Sequence, residues 1–393
     1  MRTERINLFL ITCLLISVGI IMIYSSSAIY AHEIYGDRLY FLKRHLLYLV
    51  MGFVAMIASL AFPYTILRRL AKPILGGSIF LLALVLFSPL GKESGGANRW
   101  FRVGFVSFQP SEAVKLALVI YLADFLTRKR EDLRHFVNGF LPPILVLGFL
   151  LSLLLLQPDL GTALSFTAVA MLMFFVGGMR PRYLATMLLS FLSAFAALIY
   201  FAPYRMRRIM TFLHPWQDPQ GAGFQIIQSF LALGSGGLFG VGLGQSKQKL
   251  FYLPACHTDF IFSIIGEELG LVGSLSLLIL YLLFSYSAYR ILCKVQDRFG
   301  RLLGFGIASL LTFESLVNIA VTCGAVPTKG LPLPFISYGG SALIFNLIGV
   351  GFLLNISRFG KESSSVFTTN LLEAGEHTYL PDPMPFQMRG KAE

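Results

Sequence analysis

The chain has 393 residues, of which 55% are hydrophobic and only 13% charged, and its formal net charge is +12. That leaves too few polar groups to cover a water-soluble globule of this size, so lipid must be most of its solvent. Apolar runs near the roughly 20-residue length of a membrane helix recur along it, continuous rather than alternating, which excludes an outer-membrane barrel.

The runs predict an all-α integral membrane protein of about ten spans, near residues 8–28, 43–62, 74–90, 112–127, 138–156, 161–178, 183–203, 259–289, 302–323 and 341–357. The first follows Arg2 and Arg5 like a secretory signal, with Ser26 and Ala28 as small residues, but it exceeds the roughly 7 to 15 residues of a signal core and reads as an uncleaved span. Together the spans form one polytopic domain over residues 1–358, with a long outer loop between the seventh and eighth. An even number of spans puts both termini on one side. The larger share of Lys and Arg falls in segments on that side, so the positive-inside rule places the termini in the cytoplasm. Residues 359–393, with Ser363 to Ser365, Pro381, Pro383 and Pro385, read as a disordered cytoplasmic tail. Cys13, Cys256, Cys293 and Cys323 are scattered without a CxxC pair, which indicates neither a disulfide framework nor a zinc site. The absence of a visible internal repeat weighs against a transporter built from inverted repeats.

An ionised group at the centre of a membrane helix costs about 2.5 to 3.5 kcal/mol even on lenient scales, so polar residues in or beside the spans carry the information. Asp259 stands where a polar loop enters the eighth span; it has the position of a base and equally that of a helix cap. Glu267 and Glu268 lie roughly 12 to 14 Å deeper along the same helix, too far to pair with it, and are expected in a structural polar network. Glu112 and Lys115, three apart on one face of the fourth span, are expected to form a buried ion pair or to serve a substrate or relay. Arg99 and Arg102 flank Trp100 and Phe101 like an interfacial anchor carrying two phosphate-binding forks. Three prolines between Pro327 and Pro334 forbid a regular helix, so the segment with Lys329 is expected to line a polar cavity, followed by Ser337 at the mouth of the last span. The outer basic residues cluster in residues 97–109 and 203–258, as solvated interfacial charges or as contacts for an anionic partner. The glycines from Gly234 to Gly244 contain no nucleotide-binding pattern, and Gly236, Gly240 and Gly244 fit small-residue packing. His257 beside Cys256 lacks further ligands for a metal and suits a proton or hydrogen-bond role.

Four segments carry a resemblance: KLFYLPACHTDFIFSIIGEELGLVG at 249–273, PTKGLPLPFISYGGS at 327–341, NRWFRVGFVSFQPSEAVKLAL at 98–118 and QPDLGTA at 157–163. In this order they resemble the SEDS (shape, elongation, division and sporulation) family, with wording closer to its FtsW branch than to its RodA branch. The resemblance spans the whole membrane region. It implies an inner-membrane polymerase that joins lipid II into peptidoglycan strands on the periplasmic face during cell division, usually with a class B penicillin-binding protein and other division proteins. It also places Asp259 on the family's catalytic aspartate. Ala255 and Cys256 depart from the pattern, where relatives commonly carry an acidic residue after the proline.

On that reading Asp259 is a general base for an inverting glycosyl transfer, and Arg99, Arg102, Glu112, Lys115, His257, Lys329 and Ser337 are substrate-binding candidates, with Arg205, Arg207 and Arg208 behind them. No organic cofactor and no nucleic acid are expected. A divalent cation, Mg or Mn, is compatible with pyrophosphate departure. A lipid II flippase using Glu112 and Lys115, and a non-catalytic division scaffold, are the rival readings.

Overall fold

The computed structural model describes residues 2–359 apart from 89–90, 95–96, 105, 222, 251, 255 and 329; at 92–94, 97–98, 103, 106 and 203–205 only the backbone is described. Residues 360–393, where the sequence places a disordered tail, lie outside the described residues.

Long helices dominate: α1 (Arg2–Tyr35), α2 (Tyr40–Ala61), α3 (Thr65–Phe87), α4 (Pro110–Arg128), α5 (Leu141–Leu156), α6 (Leu160–Gly177) and α7 (Pro181–Tyr200). Two shorter helices, α8 (Pro203–Leu213) and α9 (Phe224–Ser235), precede α10 (Ile261–Leu292), α11 (Arg298–Thr322) and α12 (Gly340–Phe359). Among the described residues, nine helices are long and apolar enough to cross a membrane. The tenth expected crossing is α4. Glu112, Lys115, Asp124 and Arg128 make it too polar to count by composition, yet its 19 residues run between the same two ends of the bundle and most are buried.

Burial explains that polarity. α4, α11 and α12 form the centre, where neighbouring helices rather than lipid surround most side chains, and α2, α3, α6 and α10 pack around them. α7 is peripheral, with only Tyr183 and Met187 buried. Its exposed Leu188, Leu189 and Leu192 are ordinary for a lipid-facing helix.

Two features of the segments between the spans go beyond the expected runs. Between α3 and α4 the chain forms a small antiparallel sheet, β1 (Gly91–Ser94), β2 (Ala97–Val103) and β3 (Val106–Phe108), in the order β1-β2-β3. Phe101 stands opposite Phe108 and Val103 opposite Val106, aromatic and β-branched partners that favour strands, while Gly104 at φ +58° turns the chain between them. Second, the expected outer loop 203–258 contains α8 and α9. Pro203 opens α8, whose Met206, Met210 and Leu213 are exposed alongside Arg207 and Arg208, the pattern of a helix lying in a membrane interface.

The glycine-rich stretch leaves α9 after Ser235 and continues as a series of turns, so the four-residue spacing of Gly236, Gly240 and Gly244 does not lie along one helix. The turns dock on a break in α10. Gly270 there has φ 68° and ψ −163°, a conformation open only to glycine, which frees backbone groups in mid-helix. They are satisfied by Val241 N–H donating to Glu267 O (3.0 Å), Gly242 N–H to Glu268 O (3.1 Å), Leu271 N–H to Gly237 O (2.9 Å) and Val272 N–H to Leu238 O (3.1 Å). A Cβ at Gly240, whose φ is +81°, would stand 2.1 Å from the Glu268 carbonyl. Gly240→Ala is therefore expected to destabilise the protein by at least about 2 kcal/mol, read as a lowered thermal midpoint of purified protein in detergent. Gly244, by contrast, has nothing within reach of a Cβ and is set by its positive φ alone.

The two glutamates below the break anchor the same segment. Glu267 accepts from Ser246 Oγ and from the backbone N–H of Lys247 (2.8 Å) and Gln248 (3.4 Å). Glu268 accepts from Lys249 Nζ (2.9 Å) and from Ser25 Oγ of α1 (2.7 Å). The polar network expected of both thus joins α1, α10 and the glycine segment.

Candidate active site

Asp259 lies two residues before α10, and the cap reading fails there: Phe260 occupies the N-cap position and no side chain caps the helix. Its carboxylate makes no hydrogen bond or ion pair among the described residues, and it is half-buried. Burial, and then the charge of Asp159, push it up to about 6 from the ordinary carboxylate range.

What holds Asp259 is its backbone. Asn318 of α11 donates through one amide nitrogen to Asp259 O (2.9 Å) and to Leu331 O (2.7 Å). Ser337 Oγ donates to Thr258 O (2.5 Å) and accepts from Leu333 N–H (2.8 Å), while Tyr338 N–H donates to His257 O (3.0 Å). Tyr281 of α10 donates to Pro334 O (2.5 Å). The irregular segment 331–338, which its prolines keep from becoming a helix, is thereby stitched to 257–259 at the mouth of the bundle. Gly330 lies beside the carboxylate, where a Cβ would be 3.2 Å from Asp259 Oδ2; glycine leaves that approach open. Lys329 lies outside the described residues.

The other candidates separate by role. Arg99 is not free for phosphate: Nε donates to Gln157 O (2.8 Å) and Nη2 to Pro158 O (3.0 Å), fastening β2 to the start of α6. There Asp159 caps α6 by accepting from Thr162 N–H (3.1 Å) and Thr162 Oγ1 (2.8 Å). Arg102 is exposed and lines an outward cleft of about 440 Å³ with Tyr35, Tyr40, Arg44 and Ser107. Glu112 and Lys115 pair at 2.8 Å, and Lys115 pairs again with Glu314 of α11 at 2.5 Å. All three are buried, so they form a closed triad rather than a path.

The His257 ring packs against Phe41 (centroids 4.6 Å), Tyr30 (5.6 Å) and Tyr338 (6.0 Å). Burial pushes it down to about 4, so it is neutral at pH 7 and supports the loop rather than carrying charge. Cys256 is pushed up to about 11 by burial, which leaves it a thiol. Ser337, spent on two backbone partners, positions the loop. Of the basic residues on α8, Arg207 pairs with Asp218 at 2.9 Å and Arg208 stands beside Thr328, at the edge of the segment carrying Lys329; the Arg205 side chain lies outside the described residues.

Asn318 and Glu314 escaped the sequence reading, although both are polar residues one turn apart in a span, the signal that should have flagged them. Asn318→Leu would leave the buried Leu331 carbonyl and the part-buried Asp259 carbonyl without their donor. It is expected to cost about 1 to 3 kcal/mol and to slow turnover more than Ser315→Ala in the same helix, measured by thermal unfolding and by product formation.

The family described as Cell cycle protein, covering FtsW, RodA and SpoVE, matches residues 5–362. This chain belongs to that family. Among its relatives, the probable peptidoglycan glycosyltransferase FtsW of Geobacter sp. (strain M18) is 47% identical over 86% of this chain and 92% of that protein. Stage V sporulation protein E of Bacillus subtilis (strain 168) is 42% identical over 90% of this chain and 97% of that one. Among family structures, a chain from a study of how a peptidoglycan synthase complex coordinates polymerization and crosslinking is similar at a TM-score of 0.76 and 33% identity, covering 90% of this chain and 97% of that one. The rod shape determining protein RodA of Thermus thermophilus follows at a TM-score of 0.67 and 32% identity, covering 90% and 96%.

Proposed function

We propose that this chain is a peptidoglycan glycosyltransferase that polymerises lipid II into glycan strands for septal wall synthesis in cell division, with Asp259 as its general base. The observation that carries the reading is the Asp259 carboxylate: half-buried at the mouth of the bundle, held by its backbone, beside a glycine, and pushed up to about 6. A base poised just below neutral pH is ionised when the acceptor arrives and still basic enough to take its proton. Asp259 takes the proton of the acceptor 4-hydroxyl as that oxygen attacks the anomeric carbon of the donor. The bond to lipid pyrophosphate breaks on the opposite face, so configuration inverts in one step. Charge growing on the pyrophosphate calls for cations nearby. Lys329, Arg102 and Arg208 are the candidates, whereas Arg99, engaged with two carbonyls, acts by holding Asp159 and α6 in place.

A divalent cation would be held chiefly by the donor's pyrophosphate and would offset the charge growing there, since Mg²⁺ commonly takes one or two carboxylates together with substrate phosphates. Among the described residues no group of three or more His, Cys, Asp or Glu is arranged to hold a metal. We place the chain in the bacterial inner membrane with cytoplasmic termini and Asp259 on the periplasmic side, working with a class B penicillin-binding protein and other division proteins. The flippase reading loses support because Glu112 and Lys115 are closed into a buried triad with Glu314. Purified protein given labelled lipid II tests the proposal: glycan strands made by the native chain and missing from Asp259→Asn support it, and equal strand yield from the variant removes Asp259 from its role.

A further inference from the structure

At the end of the bundle opposite Asp259, the start of α3, the end of α4 and the turn into α11 enclose a pocket of about 560 Å³. The length of α11 from Arg298 to Asn318 sets the two sites roughly 30 Å apart, the thickness of a bilayer's hydrocarbon core. Four cations line the pocket, Arg68, Arg69, Lys72 and Arg128, against two carboxylates, Asp124 and Asp297.

Both carboxylates are already engaged. Asp124 lies between Arg128 (3.0 Å) and Arg68 (3.7 Å), and Asp297 accepts from Gly300 N–H (2.7 Å) as the cap of α11. Among the described residues Arg69 and Lys72 have no ion-pair partner, so the pocket holds two uncompensated positive charges. Positive residues at helix ends are common, but a diffuse surface charge does not require four of them around one concavity. On the same helix Ile66 and Leu70 are exposed apolar residues, 40% and 45% accessible, set to meet acyl chains. A pocket with a cationic floor and an apolar flank matches one phosphate-bearing molecule with tails.

We propose that this pocket binds the phosphodiester headgroup of an anionic membrane lipid, with Arg69 and Lys72 as its principal ligands and Arg68 and Arg128, held by Asp124, as its walls. The site is distinct from the Asp259 centre and does not depend on the reaction assigned there.

The test uses the full chain purified in detergent and offered equal amounts of phosphatidylglycerol and phosphatidylcholine with matched acyl chains, with retained lipid counted by native mass spectrometry. The wild type is expected to retain phosphatidylglycerol preferentially. Arg69→Gln with Lys72→Gln is expected to weaken that retention roughly thirtyfold, about fivefold per charge removed, and each single variant about fivefold. Arg180→Gln with Arg358→Gln, at the same membrane surface but outside the pocket, controls for general charge. Equal loss in the control pair, no preference between the two lipids, or displacement of phosphatidylglycerol by millimolar inorganic phosphate overturns the proposal. Should the double variant fail to elute as a single species, the two single variants decide.

Discussion

Asp259→Asn is expected to lower strand polymerisation at least about 100-fold, within the 10²- to 10⁴-fold range of a lost general base, with lipid II binding little changed because amide and carboxylate have the same shape. The native enzyme's pH profile should carry the same residue's signature. Because its carboxyl is pushed up to about 6, the rate should fall tenfold per unit as pH drops below that value and level off above it, and this limb should be missing from whatever activity the variant retains. Stability should move the other way. A carboxyl whose folded pKa is raised favours folding most below its unfolded pKa of about 3.8, and that contribution is lost as pH rises to about 6. At pH 7 the native chain therefore holds an ionised group against burial and the charge of Asp159. The asparagine variant is expected to be more stable there, by on the order of 1 kcal/mol or more, measured by thermal unfolding at pH 7 and again at pH 4, where the gain should shrink. An inactive variant that is also less stable would point to a structural role for Asp259 instead.

Asp259 was legible in the sequence while its supports were not. A carboxylate between a polar loop and an apolar helix is conspicuous in one dimension, and the prolines of 327–334 announce an irregular backbone. What they could not announce is that Asn318, some 60 residues from Asp259, is the donor joining the two segments, because that contact exists only once α11 lies between them. Arg99 misled for a related reason. A guanidinium beside aromatics suits phosphate and backbone carbonyls equally well, and its choice of Gln157 and Pro158 depends on the sheet that turns β2 toward α6. The helix count was readable because lipid imposes one length and one composition on every crossing. α4 was recognisable for the same reason and yet atypical, since a helix wrapped by other helices need not satisfy lipid. The glycine segment is the instructive miss: its spacing suggested helix packing, and the close approach it provides is instead backbone against backbone, to mend the break at Gly270.

Lys115→Met should be the most destabilising substitution of a single buried charge in the bundle centre, at about 3 to 5 kcal/mol. The native triad places one ammonium between two carboxylates, with bonds of 2.8 and 2.5 Å and each side chain almost wholly inaccessible. Removing the lysine leaves Glu112 and Glu314 facing each other across the gap between α4 and α11 with no cation between them. A low thermal midpoint of the purified protein is therefore expected for Lys115→Met. The triad also tells whether the charges serve stability or the reaction. Replacing all three members by neutral groups of similar volume, Glu112→Gln, Lys115→Met and Glu314→Gln, removes both the attraction and the desolvation it offsets, so most of the lost stability should return. If strand synthesis returns with it, the triad only fixes the packing of α4 on α11 beneath Asn318. If stability recovers while activity stays low, the charges serve the reaction at the Asp259 site, to which Asn318 joins α11 one turn above Glu314.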